Sequence, residues 1–122
     1  MSTSATWVSW VIQCQVSSDK KAELLSLAEE MSKNFSANEP GTLNFEWSVD
    51  ASFSELHLHE RYADSTTALG HIQTFGSSYA ERFLALASIQ SVTVYGFPST
   101  ELLSALSAMS PKILQSISGF TR

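Results

Sequence analysis

The sequence has a single cysteine, few basic residues and no long apolar run, and each of these shortages excludes a class of protein. Cys14 has no second cysteine to pair with, so the chain forms no internal disulfide and no zinc site built from cysteines. The 7 basic residues are scattered among 12 acidic ones, which argues against nucleic acid and anionic membranes as partners. No stretch approaches the ~18 apolar residues of a membrane-spanning helix.

Targeting and nucleotide-binding motifs are also missing. The residues from Met1 to Thr6 are small and polar, without the basic and apolar regions of a secretion signal. Together with the lone cysteine, this favours a cytoplasmic protein. The sequence has no glycine-rich phosphate loop, G-x-S-x-G elbow or dinucleotide fingerprint, so no cofactor is predicted.

The composition is that of one folded domain. Of 122 residues, 43% are apolar and only 16% are charged, with 7 Phe, 3 Trp and 3 Tyr. This length lies within the usual range of about 100–200 residues per domain. We therefore expect a single domain over residues 1–122, with its core at about 7–97 and a C-terminal extension at 98–122.

The spacing of apolar residues predicts the order of helices and strands. Alternation indicates strands at 7–16, 42–49, 55–62 and 89–97. Helical spacing indicates helices after Ser17-Ser18-Asp19 and after Asp64-Ser65, the second broken near Gly76. A short helix is expected after Pro98-Ser99, and the tail at 111–122 is either a weak strand or a packed extension. The order β-α-β-β-α-β is typical of an α+β, ferredoxin-like antiparallel sheet, here with a C-terminal helical extension.

Both faces of the predicted sheet carry apolar residues. The main apolar face of the first strand consists of Val8, Trp10, Ile12, Cys14 and Val16. Trp7, Val11, Val92 and Val94 are expected on the opposite face. Since helices cover only one face in this topology, the other face needs a second sheet. The sequence thus predicts a homodimer paired through the sheet face.

Several motifs resemble those of a known family. They are Glu39-Pro40-Gly41-Thr42-Leu43, then Leu58-His59-Glu60-Arg61-Tyr62-Ala63-Asp64-Ser65 leading into a helix with His71, then Tyr95-Gly96-Phe97-Pro98-Ser99, and the closing Gly119-Phe120-Thr121-Arg122. The pattern resembles the antibiotic biosynthesis monooxygenase family of dimeric α+β barrels, which includes quinol monooxygenase-like proteins. The resemblance implies a ligand held between the helices and the sheet of each subunit. Some members oxidise hydroquinones or polycyclic phenols with molecular oxygen and no cofactor.

His71 and Glu60 are the predicted catalytic residues. The resembled family commonly has a histidine facing the pocket from this helix. As a base, His71 would take a phenolic proton, which suits its ordinary pKa of ~6.5. Glu60 shares its strand face with apolar residues and would orient His71. The alternative roles are structural, with His71 tying the helix to the strand and Glu60 locking helix to sheet.

A small aromatic ligand would contact apolar and aromatic side chains of the pocket. The predicted substrate-binding residues are Trp10, Phe45, Trp47, Leu58, Tyr62, Phe75, Phe83 and Tyr95. Residues of these types are also the ordinary contents of a core, and a tyrosine at the edge of a core often keeps its hydroxyl in water.

No metal site is predicted. His57 and His59 form an H-x-H pair on the other face of their strand, but the spacing offers no third ligand. Haem-degrading members of the resembled family use an asparagine on the first strand, whereas this chain has only Ser9, Gln13 and Gln15 as polar side chains there. Haem degradation is therefore disfavoured.

Three functional hypotheses follow from these residues. The first is a cofactor-independent monooxygenase acting on a small aromatic, polyketide or quinol-type substrate. The second is a non-catalytic small-molecule-binding homodimer of the same fold, whose pocket needs no base. The third is a structural dimer without an accessible cavity.

Overall fold

A computed structural model describes residues 5–122, so the predictions for residues 1–4 lie outside the described residues. The strands are β1 (Val8–Val16), β2 (Thr42–Val49), β3 (Glu55–Tyr62), β4 (Ala87–Gly96) and β5 (Lys112–Gln115). The helices are α1 (Lys21–Asn38), α2 (Ser65–Ser78), α3 (Ala80–Leu86) and α4 (Thr100–Leu106), with single 3₁₀ turns at Ser18–Lys20 and Ser107–Met109. This order confirms the predicted β-α-β-β-α-β pattern and its C-terminal helix.

The strands form one sheet in the order β2-β3-β1-β4-β5. The first four strands pair antiparallel, which is the ferredoxin-like arrangement predicted from the sequence. Strand β5 adds a parallel pair at the edge next to β4, so the sheet is mixed. The tail at 111–122 therefore contributes a four-residue strand.

Short polar side chains cap the 3₁₀ turn that leads into α1 and the first turn of α2, where the sequence predicts helices to begin. Ser17 accepts a hydrogen bond from the Asp19 N–H at 3.3 Å, and Asp64 accepts one from the Thr67 N–H at 2.8 Å. The second helix is divided into two pieces as predicted, but the break does not fall at Gly76, which lies inside α2. The break falls at Tyr79, a buried residue with φ −130° whose hydroxyl accepts a hydrogen bond from Asn34 Nδ2 at 2.7 Å. This hydrogen bond ties the break between α2 and α3 to α1.

A β-bulge in β4 changes which residues face the helices. The register pairs Gln13 with Ser91 but Cys14 with Ile89, so Gln90 is an extra residue in β4. Beyond the bulge, Val94 lies opposite Trp10 and shares its buried face. The prediction that Val92 and Val94 lie on the opposite face is therefore wrong, because the extra residue reverses the alternation of faces along β4.

The helices pack on one face of the sheet in two neighbouring clusters. One cluster joins α1 and α3 to the half of the sheet around Cys14, Leu56 and Leu58. The other joins α4 and the start of α2 to the half around Trp10 and Val94. Both clusters take their strand residues from the same face, and we call the opposite face, which carries Trp7, Val11, Arg61 and Tyr95, the open face.

Candidate functional site

A cavity of about 80 Å³ lies between the sheet and the helices, in contact with residues of both clusters. Seven of the predicted site residues line it: Trp10, Phe45, Leu58, Glu60, His71, Phe75 and Phe83. Apart from Glu60 and His71, the lining side chains are hydrophobic. The cavity therefore combines an apolar wall with one charged pair, the composition expected of a pocket for a small organic ligand.

Glu60 and His71 meet at the cavity wall. Glu60 lies in the middle of β3, opposite Trp10 of β1 and Phe45 of β2, and its side chain is 4% exposed. His71 extends from α2, and its Nε2 lies 3.1 Å from Glu60 Oε1. The hydroxyl of Tyr62 donates a second, short hydrogen bond to the same oxygen. Oε1 of Glu60 is therefore held by two donors.

Glu39 binds the other side of the His71 ring. Its Oε1 lies 2.9 Å from His71 Nδ1, and its side chain is 14% exposed, so this carboxylate is nearer to solvent than Glu60. The hydroxyl of Thr42 donates to the same Glu39 oxygen at 2.8 Å. His71 is thus fixed between two carboxylates that come from different parts of the chain.

The turn after α1 places Glu39 against α2. A Cβ atom on Gly41 would lie 2.5 Å from Thr67 Oγ1, so only glycine allows the turn to approach the first turn of α2 this closely. The Gly41 carbonyl accepts a hydrogen bond from the Ala63 N–H at 2.9 Å, which ties the turn to the end of β3. The Glu39-Pro40-Gly41 motif therefore carries a partner of His71, although sequence reasoning treated it only as a turn and a family motif.

Electrostatics favour a protonated His71. Burial alone lowers the pKa of His71, but hydrogen bonds and charge from Glu60 and Glu39 outweigh burial and raise this pKa above its ordinary value. Both ring nitrogens then donate to carboxylates, as an imidazolium does. Neither nitrogen keeps a free lone pair for a substrate proton in this arrangement.

Glu60 keeps one oxygen available. Its Oε1 accepts from His71 and Tyr62, whereas Oε2 has no hydrogen-bond donor among residues 5–122. Burial and then the charge of Glu60 raise the pKa of Tyr62 well above its ordinary value, so Tyr62 stays a phenol that donates to Glu60. Glu60 lines the cavity and Glu39 does not, so the free proton acceptor at the cavity is a carboxylate oxygen of Glu60.

Cys14 is not available as a nucleophile. Burial, followed by the nearby charge of Glu60, raises the pKa of Cys14 to about 11, so its thiol stays protonated at neutral pH.

Two tryptophan N–H groups near the site lack acceptors. The indole Nε1 atoms of Trp10 and Trp47 are buried and have no hydrogen-bond partner in the described part of the chain. Trp10 lines the cavity, and its ring packs on that of Tyr62 at a centroid distance of 4.8 Å. Trp47 packs on Phe83 at 5.7 Å but does not line the cavity.

The remaining predicted residues lie away from the cavity wall. Tyr62 sits behind Glu60, which it reaches through its hydroxyl. Tyr95 lies on the open face opposite Ser9, since the bulge at Gln90 reverses its orientation from the one expected. The structure therefore separates Tyr95 from the pocket in which the sequence placed it.

His57 and His59 lie on the open face, with ring centroids 6.4 Å apart. His57 Nε2 contacts Glu55 Oε2 at 2.5 Å. Within the described range, no three His, Cys, Asp or Glu side chains come close enough together to hold a metal ion.

None of the helices in residues 5–122 has the length and hydrophobicity needed to cross a bilayer.

Solved structures share this fold, although no protein-family model and no curated protein sequence matches the chain. MupZ from Pseudomonas fluorescens superposes with a TM-score of 0.81 and 21% identity, covering 96% of this chain and 95% of MupZ. SnoaB from Streptomyces nogalater, a cofactor-independent oxygenase solved as a point mutant, matches with a TM-score of 0.63 and 17% identity, covering 79% of this chain and 95% of SnoaB.

A third match is a protein from Bacteroides thetaiotaomicron assigned as an antibiotic biosynthesis monooxygenase. Its TM-score is 0.62 at 18% identity, over 78% of this chain and 89% of that protein. At these identities the likeness concerns the fold. The chain has the α+β fold of antibiotic biosynthesis monooxygenases, as the sequence motifs implied.

Proposed function

We propose that the chain is a cofactor-independent monooxygenase that acts on a small aromatic, polyketide or quinol-type substrate. The observation that carries the proposal is the buried Glu60–His71–Glu39 cluster at the wall of an otherwise apolar cavity. A buried carboxylate pair around one histidine is costly unless it serves a purpose, and perturbed groups of this kind concentrate at functional sites. That SnoaB has the same fold and is a cofactor-independent oxygenase supports this choice of reaction.

In the proposed reaction, Glu60 removes the proton. Its Oε2 takes a phenolic or enolic proton, which leaves a neutral carboxylic acid and a substrate anion. The His71 imidazolium, held by Glu39, stays charged and offsets the negative charge that remains in the cavity. This assignment differs from the sequence hypothesis that His71 is the base, because both ring nitrogens already contact carboxylates.

Oxygen then reacts with the electron-rich anion. The substrate carbon supplies the electrons, a C–O bond forms, and protonation gives a hydroperoxide. The O–O bond and the remaining C–H bond of the same carbon then break, so that water leaves and the product keeps one oxygen atom as a carbonyl. The substrate is itself the reductant, so the step needs no added electron donor. An apolar, water-excluding pocket suits such an anion because bulk water would otherwise solvate and reprotonate it.

Oxygen uptake by the purified, metal-free protein tests this function. With a panel of hydroquinones, anthrones and related phenols, we expect at least one compound to be consumed well above its spontaneous rate, with one oxygen molecule used per product. Saturable binding of these compounds without any oxygen uptake would contradict the proposal and favour the non-catalytic binding protein. Absence of both binding and uptake would favour a structural dimer.

We also propose that the working form is a homodimer paired through the open face. Val11 lies at the centre of this face on the middle strand of the sheet and is half-buried. At one end, the Arg61 guanidinium lies 4.0 Å above the Trp7 ring, and its buried Nε has no acceptor within residues 5–122. A second copy would cover the apolar centre and supply acceptors to such groups.

Replacing Val11 with glutamate is expected to convert the dimer to a monomer. Two copies would each bring a carboxylate to the centre of the paired sheets, where like charges repel and lose hydration. Light scattering coupled to size exclusion should give twice the chain mass of 13.4 kDa for the wild type and that mass for Val11→Glu. The matched control is Leu25→Glu on the exposed side of α1, which should stay dimeric. A monomeric wild type would refute this pairing.

A further inference from the structure

Trp10 and Glu60 reach the cavity from neighbouring strands. They lie directly opposite each other in the β1–β3 register, where the Cβ atoms of such a pair are about 4.5–5.5 Å apart. Both side chains are buried, and both line the cavity. A ligand that touches one of them is therefore within reach of the other.

Two of the residues that line the cavity each carry a polar group without a hydrogen-bond partner. The acceptor is Oε2 of Glu60, since both nitrogens of His71 are already engaged. The donor is the indole N–H of Trp10, which can only donate and which finds no acceptor in residues 5–122. The other lining side chains are hydrophobic and offer neither. A buried donor without a partner is rare in folded proteins, and it marks a position where a ligand can supply the acceptor.

We propose that the Trp10 N–H donates a hydrogen bond to the substrate oxygen that becomes negatively charged when Glu60 removes the proton. This inference rests on the proposed function and adds a catalytic residue to it. The proton moves from the substrate to Glu60 Oε2, the electron pair stays on the substrate, and the indole keeps its own proton. Hydrogen bonds to an anionic oxygen are roughly twice as strong as those to a neutral one, so the donor stabilises the anion more than the bound substrate.

The unpaired indole N–H of Trp10 has an alternative explanation, which is purely structural. The Trp10 ring lies 4.8 Å from that of Tyr62 at an interplanar angle of 40°, so the N–H could interact weakly with an aromatic face. Trp47 provides the comparison, because it has the same unpaired indole N–H on the same face of the sheet but lies outside the cavity wall. A purely structural N–H would not respond to the charge of a bound ligand.

Titration of bound para-nitrophenol tests the proposal, because its phenolate has a distinct absorption band. We compare wild type with Trp10→Phe. Loss of the N–H should lower the acid dissociation constant of the bound para-nitrophenol by about tenfold. The matched control Trp47→Phe should titrate like the wild type. Equal titration of Trp10→Phe and wild type would overturn the proposal.

A second measurement requires no substitution. In wild-type protein with ¹⁵N-labelled tryptophan, raising the pH with para-nitrophenol bound should move the Trp10 indole proton downfield and leave the Trp47 signal in place. An unmoved Trp10 signal would overturn the proposal even where Trp10→Phe fails to fold. If no phenol is oxidised, the proposed function fails, yet both titrations still decide whether Trp10 binds the anionic oxygen.

Discussion

Glu60→Gln is expected to lower the turnover of the proposed oxidation by about 100-fold to 10,000-fold, the range that a general base contributes. Glutamine keeps the shape of the side chain and can still accept hydrogen bonds from His71 and Tyr62 through its carbonyl oxygen. It cannot take a proton, so the substrate anion forms only slowly. Substrate affinity should change much less, since the apolar wall of the cavity is unaltered.

Steady-state oxygen uptake separates these effects, because the substitution should reduce kcat with a small change in KM. The matched control is Glu29→Gln, which removes an exposed carboxylate that pairs with Lys33 of the same helix. That variant should turn over at the wild-type rate. Wild-type kcat in Glu60→Gln would refute Glu60 as the base while leaving open that another group starts the reaction.

The second large effect concerns stability. His71→Ala should lower the free energy of unfolding by about 3–5 kcal/mol, because it leaves the 4%-exposed Glu60 without its buried counter-charge. The double variant Glu60→Gln/His71→Ala should be more stable than His71→Ala alone, since it removes the stranded charge as well. Urea denaturation of the three proteins measures both differences. Equal stability of wild type and His71→Ala would show that the ion pair adds nothing to the fold.

The same set of proteins predicts a pH dependence. Because the folded-state pKa of His71 is raised, the unfolded chain loses the His71 proton first as pH increases, from about 6.5 upward. The stabilisation that protonated His71 gives the folded state is complete below that pH, and it is lost as pH rises through the folded-state pKa of His71. The free energy of unfolding of the wild type exceeds that of the double variant by an amount that should therefore decrease as pH rises above about 6.5. A constant difference would show that folding does not raise the pKa of His71.

The elements of this fold could be predicted because their signals are local. The alternation in β2 and β3 and the cap residues Ser17 and Asp64 depend on a few neighbouring positions, and the structure has them as expected. The bulge at Gln90 could not be predicted in this way, since an extra residue in β4 is defined only by the register with β1. That one residue accounts for the wrong faces of Val92, Val94 and Tyr95.

The candidate site was predictable in part for the same reason. Glu60 was recognised as an acidic residue on an apolar strand face, and its burial follows from that position. Glu39 was not recognised as a partner of His71, because 32 residues separate them and only the close packing of Gly41 on α2 brings them together. The free Glu60 oxygen and the unpaired Trp10 N–H are properties of packing, which no spacing rule encodes.

Alternate residues of the central strands serve two different surfaces. In β1, Trp10 and Ile12 border the cavity while Val11, between them, lies on the open face. A substitution at one position therefore changes its own surface and leaves the other chemically intact. During evolution, the shape of the ligand pocket and the choice of a partner could diverge independently within the same few residues. Only insertions or deletions such as the extra residue in β4 exchange the two sets.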